Sequence, residues 1–145
     1  MSDATGLIVA VVVLVAATVF GLVRARRGGR LRAGGRGDEL RLSSGELGAA
    51  LGERATLVQF STTLCAVCPG TRRLLADVAA RTPGVRHVEI DAEVRLDLVR
   101  RVDVMRTPTV LVLDHSGRVV RRASGAPTRA DVLSAVELAT IESGP

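Results

Sequence analysis

The chain has no Trp and no Tyr, and Phe20 and Phe60 are its only aromatics. A nucleic-acid surface built on aromatic stacking is therefore excluded, and the hydrophobic core has to be assembled from Val, Leu, Ile and Ala. Cysteine occurs twice and histidine twice, at Cys65, Cys68, His87 and His115. A structural zinc site needs four ligands. One chain would have to recruit both distant histidines, and the other route is two copies that pool their cysteines around a metal. Lysine is missing altogether; all 20 basic side chains are Arg, a coding bias to which no chemistry is attached. There is no internal repeat and no glycine-rich phosphate-binding loop.

One long stretch has no charge at all. Residues Gly6 to Val23 are uninterrupted apolar or small side chains, about 27 Å of helix if helical, close to a hydrocarbon core. A cleaved signal peptide would carry a basic n-region, and Met1–Thr5 has no basic side chain. The expected organisation is a short tail (1–5), a retained transmembrane helix (6–23), an Arg/Gly-rich linker (24–37) and a domain (38–145). Arg24, Arg26, Arg27, Arg30, Arg32 and Arg36 follow the apolar run, and only Asp3 precedes it. The positive-inside rule then predicts a single-pass protein of the cell membrane whose C-terminal domain is cytoplasmic. The linker reads as solvated stop-transfer charge, with attraction to anionic headgroups worth roughly 1 kcal/mol per Arg near the surface. It accounts for most of the net charge of +5. No nucleic-acid partner is expected, because position explains the charge.

The domain alternates helical and strand patterns. Ser43-Ser44-Gly45-Glu46 is a capping box that predicts a helix through Leu47–Leu51, ended by Gly52. Ala55–Ser61 reads as a buried strand. A helix to about Arg81 follows, then a Thr82-Pro83-Gly84 turn and a strand over Val85–Asp91. Val94, Leu98 and Val102 mark a further helix. Thr109–Leu113 is a second buried strand, and Asp114-His115-Ser116-Gly117 a hairpin turn into Arg118–Ser124. Thr128 and Asp131 cap a last helix carrying Val132, Leu133, Val136 and Leu138. The order (β)αβαβαββα predicts an α/β fold with a mixed central sheet and helices on both faces.

The pair Cys65-Ala66-Val67-Cys68 lies between the first buried strand and its helix. Two thiols at this spacing can close a small disulfide ring. A thiolate at a helix start is favoured by free N–H groups and the helix dipole. Both properties suit thiol–disulfide exchange, and a passive disulfide does not suit a reducing cytosol. His115 falls in a turn and is expected to be exposed.

Over nearly all of 38–145 the chain resembles the thioredoxin family. The resemblance rests on Cys65-Ala66-Val67-Cys68 between strand and helix, on Val88-Glu89-Ile90-Asp91 in the next strand, and on Thr107-Pro108-Thr109 ahead of the run Val110–Leu113. It implies a thioredoxin-like fold and a thiol–disulfide oxidoreductase with no cofactor beyond the redox-active Cys65–Cys68 disulfide. Cys65 would be the attacking thiol and Cys68 the resolving one. Pro108 would be cis and face them, and Thr107 would offer backbone groups to a substrate strand. The partners implied are protein dithiols and disulfides and an unidentified electron donor.

Several positions depart from the family pattern. Leu64 stands where Trp is usual, and Ala66-Val67 where Gly-Pro is usual. Val67 keeps an N–H for a Cys65 thiolate, which favours a more oxidising couple. Pro69 opposes this, because a residue before proline resists the α conformation and the helix would begin at Pro69. Gln59 takes the place of the family's buried Asp, and an amide cannot take up the proton of the resolving thiol. His87 on the next strand is read first as an ordinary solvated or hydrogen-bonded histidine, and second as a group that assists through water. A non-catalytic interaction module at the membrane and an extracytoplasmic oxidoreductase are the alternatives on this reading.

Overall fold

The computed structural model describes residues 2–28, 31–33 and 40–142. Met1, the linker residues 29–30 and 34–39, and the C-terminal 143–145 lie outside the described residues.

The apolar run folds as expected from its composition, as one helix α1 (Ser2–Gly28). Within it Thr5–Arg24 has a mean hydropathy of 2.9 and is wholly unburied by the rest of the chain. Its 20 residues measure about 30 Å, enough to cross a bilayer core. The helix continues past the expected boundary at Val23 because Arg24 to Gly28 contains no helix breaker before Gly28.

The linker differs from the expectation. Arg32–Ala33 forms a two-residue strand β1 that pairs antiparallel with Arg121–Arg122. Leu31 packs against the core. Residues 32–33 of the Arg-rich segment thus belong to the edge of the sheet.

Next come α2 (Ser44–Leu47), β2 (Ala55–Ser61), α3 (Cys68–Arg81), β3 (Val85–Asp91), α4 (Leu96–Arg101), β4 (Thr109–Asp114), β5 (Val119–Ser124) and α5 (Arg129–Ile141). The sheet order is β1-β5-β4-β2-β3. β2 and β3 are parallel, while β4 is antiparallel to both β2 and β5, so the sheet is mixed.

Strand alternation divides the core into two layers. Ala55, Leu57, Val110 and Val112 pack under α3 and α5 with Leu75, Val78, Val132 and Val136. Val58, Phe60, Leu111 and Leu113 pack with Leu42, Leu47, Leu98 and Val102 on the other face. All seven residues of β2 are buried, and that central strand points its C-terminal end at the cysteines.

Two short helices end elsewhere than the sequence pattern predicts. The capping box forms at Ser43 and Glu46, but the helix stops after four residues at Gly48, whose φ of 65° is left-handed. Gly52 does not end it; its role is close approach, since a side chain there would strike the carbonyls of Ala55 and Gly84. α4 is shorter than the Val94–Val102 stripe. Asp91 accepts from the Glu93 N–H through its side chain and from the Arg95 N–H through its carbonyl. Residues 92–95 are thereby a turn, which leaves Val94 exposed. In α5 the buried side is Val132, Ala135, Val136 and Ala139, with Leu133 outside it.

Candidate redox site

β2 ends at Ser61, and the chain then makes two tight steps before α3. The Cys65 N–H donates to the Thr62 carbonyl at 3.3 Å and the Cys68 N–H to the Cys65 carbonyl at 3.2 Å. The second turn leads directly into α3, with Val67 as its N-cap and Pro69 in its first turn. The helix therefore begins at Cys68, one residue earlier than the proline predicts. A proline in the first turn needs no N–H partner, and the preceding turn already holds Cys68 in place.

Cys65 and Cys68 are joined as a disulfide, with an S–S separation of 2.12 Å. Their environments differ. Cys65 is half-buried in the turn, and Cys68 is 2% exposed.

The Thr107–Pro108 peptide is cis. Its loop is tied to the cysteine loop by the hydroxyls of Thr62 and Thr107, 3.1 Å apart. Thr107 is half-buried and Pro108 buried. On the other side, the Thr63 hydroxyl reaches the Glu93 carboxylate at 3.0 Å. The loops after β2, after β3 and before β4 thus meet at one end of the sheet. Leu64 (93% exposed) and Met105 (82% exposed) stand out from that end.

Beneath Cys68 lies a polar chain. Gln59 is fully buried; its Nε2 donates to the Cys68 carbonyl at 3.1 Å and to the Ser61 hydroxyl at 2.8 Å. The Ser61 hydroxyl also helps to hold the Glu89 carboxylate in its charged form. Glu89 is opposite Gln59 in the β2–β3 register and is clamped by Arg72 of α3, at 2.6 and 2.8 Å. Burial pushes the Glu89 carboxyl up, but the donors from Arg72 and Ser61 outweigh it and hold it below the usual carboxylate range.

His87 stands on the same side of β3, opposite Leu57. Burial disfavours its imidazolium; Glu89 opposes that effect and Arg72 adds to it, so its pKa is lowered overall. Gln59 Oε1 and His87 Nε2 are both buried with no hydrogen-bond partner among the described residues. His115 is exposed in its turn. Among the described residues no three His, Cys, Asp or Glu side chains converge on a metal position.

The sequence reading gave no role to Ser61, Arg72 or the threonines at 62 and 63, and it took Glu89 only as part of a strand motif. The available signal was parity: odd-numbered residues on β2 and β3 share a face once the strands are paired in register.

Sheet order, the cysteine loop at the end of the central strand and the cis proline loop tied to it together define the thioredoxin fold. Solved structures agree. A thioredoxin variant from Halobacterium salinarum is similar at a TM-score of 0.56 and 19% identity, covering 61% of this chain and 76% of that one. Spinach chloroplast thioredoxin f gives 0.54 and 20%, covering 61% and 78%. Oxidised mitochondrial thioredoxin 3 from Saccharomyces cerevisiae gives 0.52 and 20%, covering 59% and 78%. No protein-family model and no curated protein matches the chain.

Proposed function

We propose that this chain is a thiol–disulfide oxidoreductase that exchanges disulfides with protein substrates through Cys65 and Cys68. The observation that carries the reading is the asymmetry of the bonded pair, one cysteine half-buried in a turn and the other buried at the start of α3. In the reduced chain the Cys65 thiolate attacks a substrate disulfide. An S–S bond forms between the two proteins, and the substrate's second sulfur leaves as a thiolate and takes up a proton. Cys68 then attacks the Cys65 sulfur, the substrate departs as a dithiol, and the Cys65–Cys68 bond closes. Two electrons have moved from the chain to the substrate, and an electron donor of unknown identity restores the dithiol. Thr107 and Pro108, on the loop tied to Thr62, form the wall against which a substrate segment lies.

The same reading places the domain at a membrane. α1 supplies the single span, and the Arg-rich flank on its C-terminal side favours a cytoplasmic domain.

The test is insulin reduction with dithiothreitol, together with trapping. The full chain should accelerate insulin precipitation. Cys68→Ser should accumulate mixed disulfides with substrate proteins, and Cys65→Ser should not. A chain that binds partners without accelerating insulin reduction is an interaction module; equal trapping by both variants overturns the assignment of roles.

A further inference from the structure

Gln59 sits in the middle of the central strand with no solvent access. Both hydrogens of its amide nitrogen are used, on Ser61 and on the Cys68 carbonyl. A carbonyl only accepts, so the amide orientation is fixed and its oxygen occupies the other branch. That oxygen is buried and unpartnered while Cys65 and Cys68 are bonded to each other.

An orphaned buried acceptor needs a reason. The polar groups nearest to it are engaged elsewhere. The Ser61 hydroxyl accepts from the Gln59 amide nitrogen, and the Arg72 guanidinium is held by Glu89. His87 has a buried nitrogen without a partner, yet the structure does not bond it to Gln59. Cys68 differs from all of them, because its capacity to donate changes with redox state. As half of a disulfide its sulfur carries no hydrogen. As a buried thiol it has an S–H, in the residue whose backbone Gln59 already holds.

We propose that Gln59 Oε1 is the acceptor for the Cys68 S–H in the dithiol form, and so sets the redox equilibrium of the pair. The proposal rests on the reading that the pair cycles between disulfide and dithiol. With dithiothreitol as reductant, the Cys65–Cys68 bond breaks and two electrons arrive from the reagent, whose own thiols close into a cyclic disulfide. One proton goes to each protein sulfur, and the proton on Cys68 lies in the bond to Gln59. The acceptor is unpaired in the disulfide and paired in the dithiol, so it favours reduction and makes the chain a stronger oxidant. It also holds Cys68 protonated until the mixed disulfide has formed.

The experiment is a redox titration of the full chain in detergent micelles against reduced and oxidised dithiothreitol, reading the fraction of Cys65–Cys68 disulfide. Gln59→Leu should move the equilibrium about tenfold toward the disulfide, the scale of one orphaned buried group, or about 30 mV more reducing. The S–H stretching band of Cys68, recorded in the reduced Cys65→Ser background, should move to higher frequency when Gln59→Leu is added. His87→Leu should change neither readout. Gln59→Met, with the same expectations, replaces Gln59→Leu should the latter fail to fold. An equilibrium within twofold of the parent overturns the proposal. So does a shift without movement of the S–H band, or a His87→Leu chain that reproduces the Gln59→Leu shift. None of these readouts requires turnover. A chain inactive on insulin that still shows both Gln59 effects would sink the enzymatic reading and leave this one standing.

Discussion

His87 is held by its surroundings in the neutral form. Burial is the main cause, and its pKa in the folded chain lies below the ordinary value, which is about 6.5 in the unfolded chain. The unfolded chain therefore binds more protons as the pH falls through that window. The stabilising contribution is complete above about pH 6.5 and is lost as the pH drops toward the folded value. Urea unfolding of the chain should accordingly give a stability that declines as the pH falls below about 6.5, and His87→Leu should flatten the slope. An unchanged slope in the variant would assign the loss to other groups. At this scale the sequence was legible where residue types are chemically distinctive. Cys65 and Cys68 lie at the junction of β2 and α3, where the sequence pattern predicts them, and Thr107–Pro108 is cis ahead of β4. Ser61 and Glu89 were not legible, because an ordinary serine and an ordinary glutamate become a network only when β2 and β3 are aligned with Gln59 opposite Glu89.

The hairpin joining β4 to β5 is set by one carboxylate. Asp114 is 2% exposed and accepts from the Ser116 N–H and hydroxyl and from the Arg118 N–H and Nε, at 2.7 to 3.0 Å. Burial pushes its carboxyl up, but the Ser116 and Arg118 donors outweigh it, so its pKa is lowered. Asp114→Ala leaves inward-facing donors without their acceptor and should cost about 1–3 kcal/mol in denaturant unfolding at neutral pH. A loss under roughly half a kcal/mol, the size of an ordinary surface change, would show the carboxylate to be dispensable. Elements with their own local instructions were readable. The Asp114–Gly117 turn forms where Asp, Ser and Gly predict it, and α5 starts at its Thr128–Asp131 capping box. The misreadings share a cause: α2 and α4 are only four and six residues long, so a single left-handed glycine or one aspartate-capped turn removes a large fraction of either. β1 had no local signal, since Arg32–Ala33 is a strand only by virtue of pairing with β5.

At the scale of the whole chain, the proposed function assigns α1 to anchoring and the domain to chemistry. With α1 in a bilayer, the chain should resist alkaline carbonate extraction, and deletion of residues 1–28 should release it. An epitope fused after Pro145 should be protected from added protease in intact cells. Its digestion there would put the domain on the outer face and exchange a reducing environment for an oxidising one. The two-residue strand next to α1 has a further consequence. Only residues 29–31 separate Gly28 from Arg32, which is already part of the sheet. Four Cα–Cα steps of at most about 3.6 Å allow roughly 14 Å of reach. If α1 spans a bilayer as proposed, so short a leash would keep the domain within about its own radius of the lipid surface. Its search for a target would then be confined to a thin layer, in which effective concentration is set by lateral diffusion. Substrates whose disulfides lie in that layer would meet it often. A cysteine pair carried far from the membrane on a tall partner would be out of range, whatever its intrinsic reactivity.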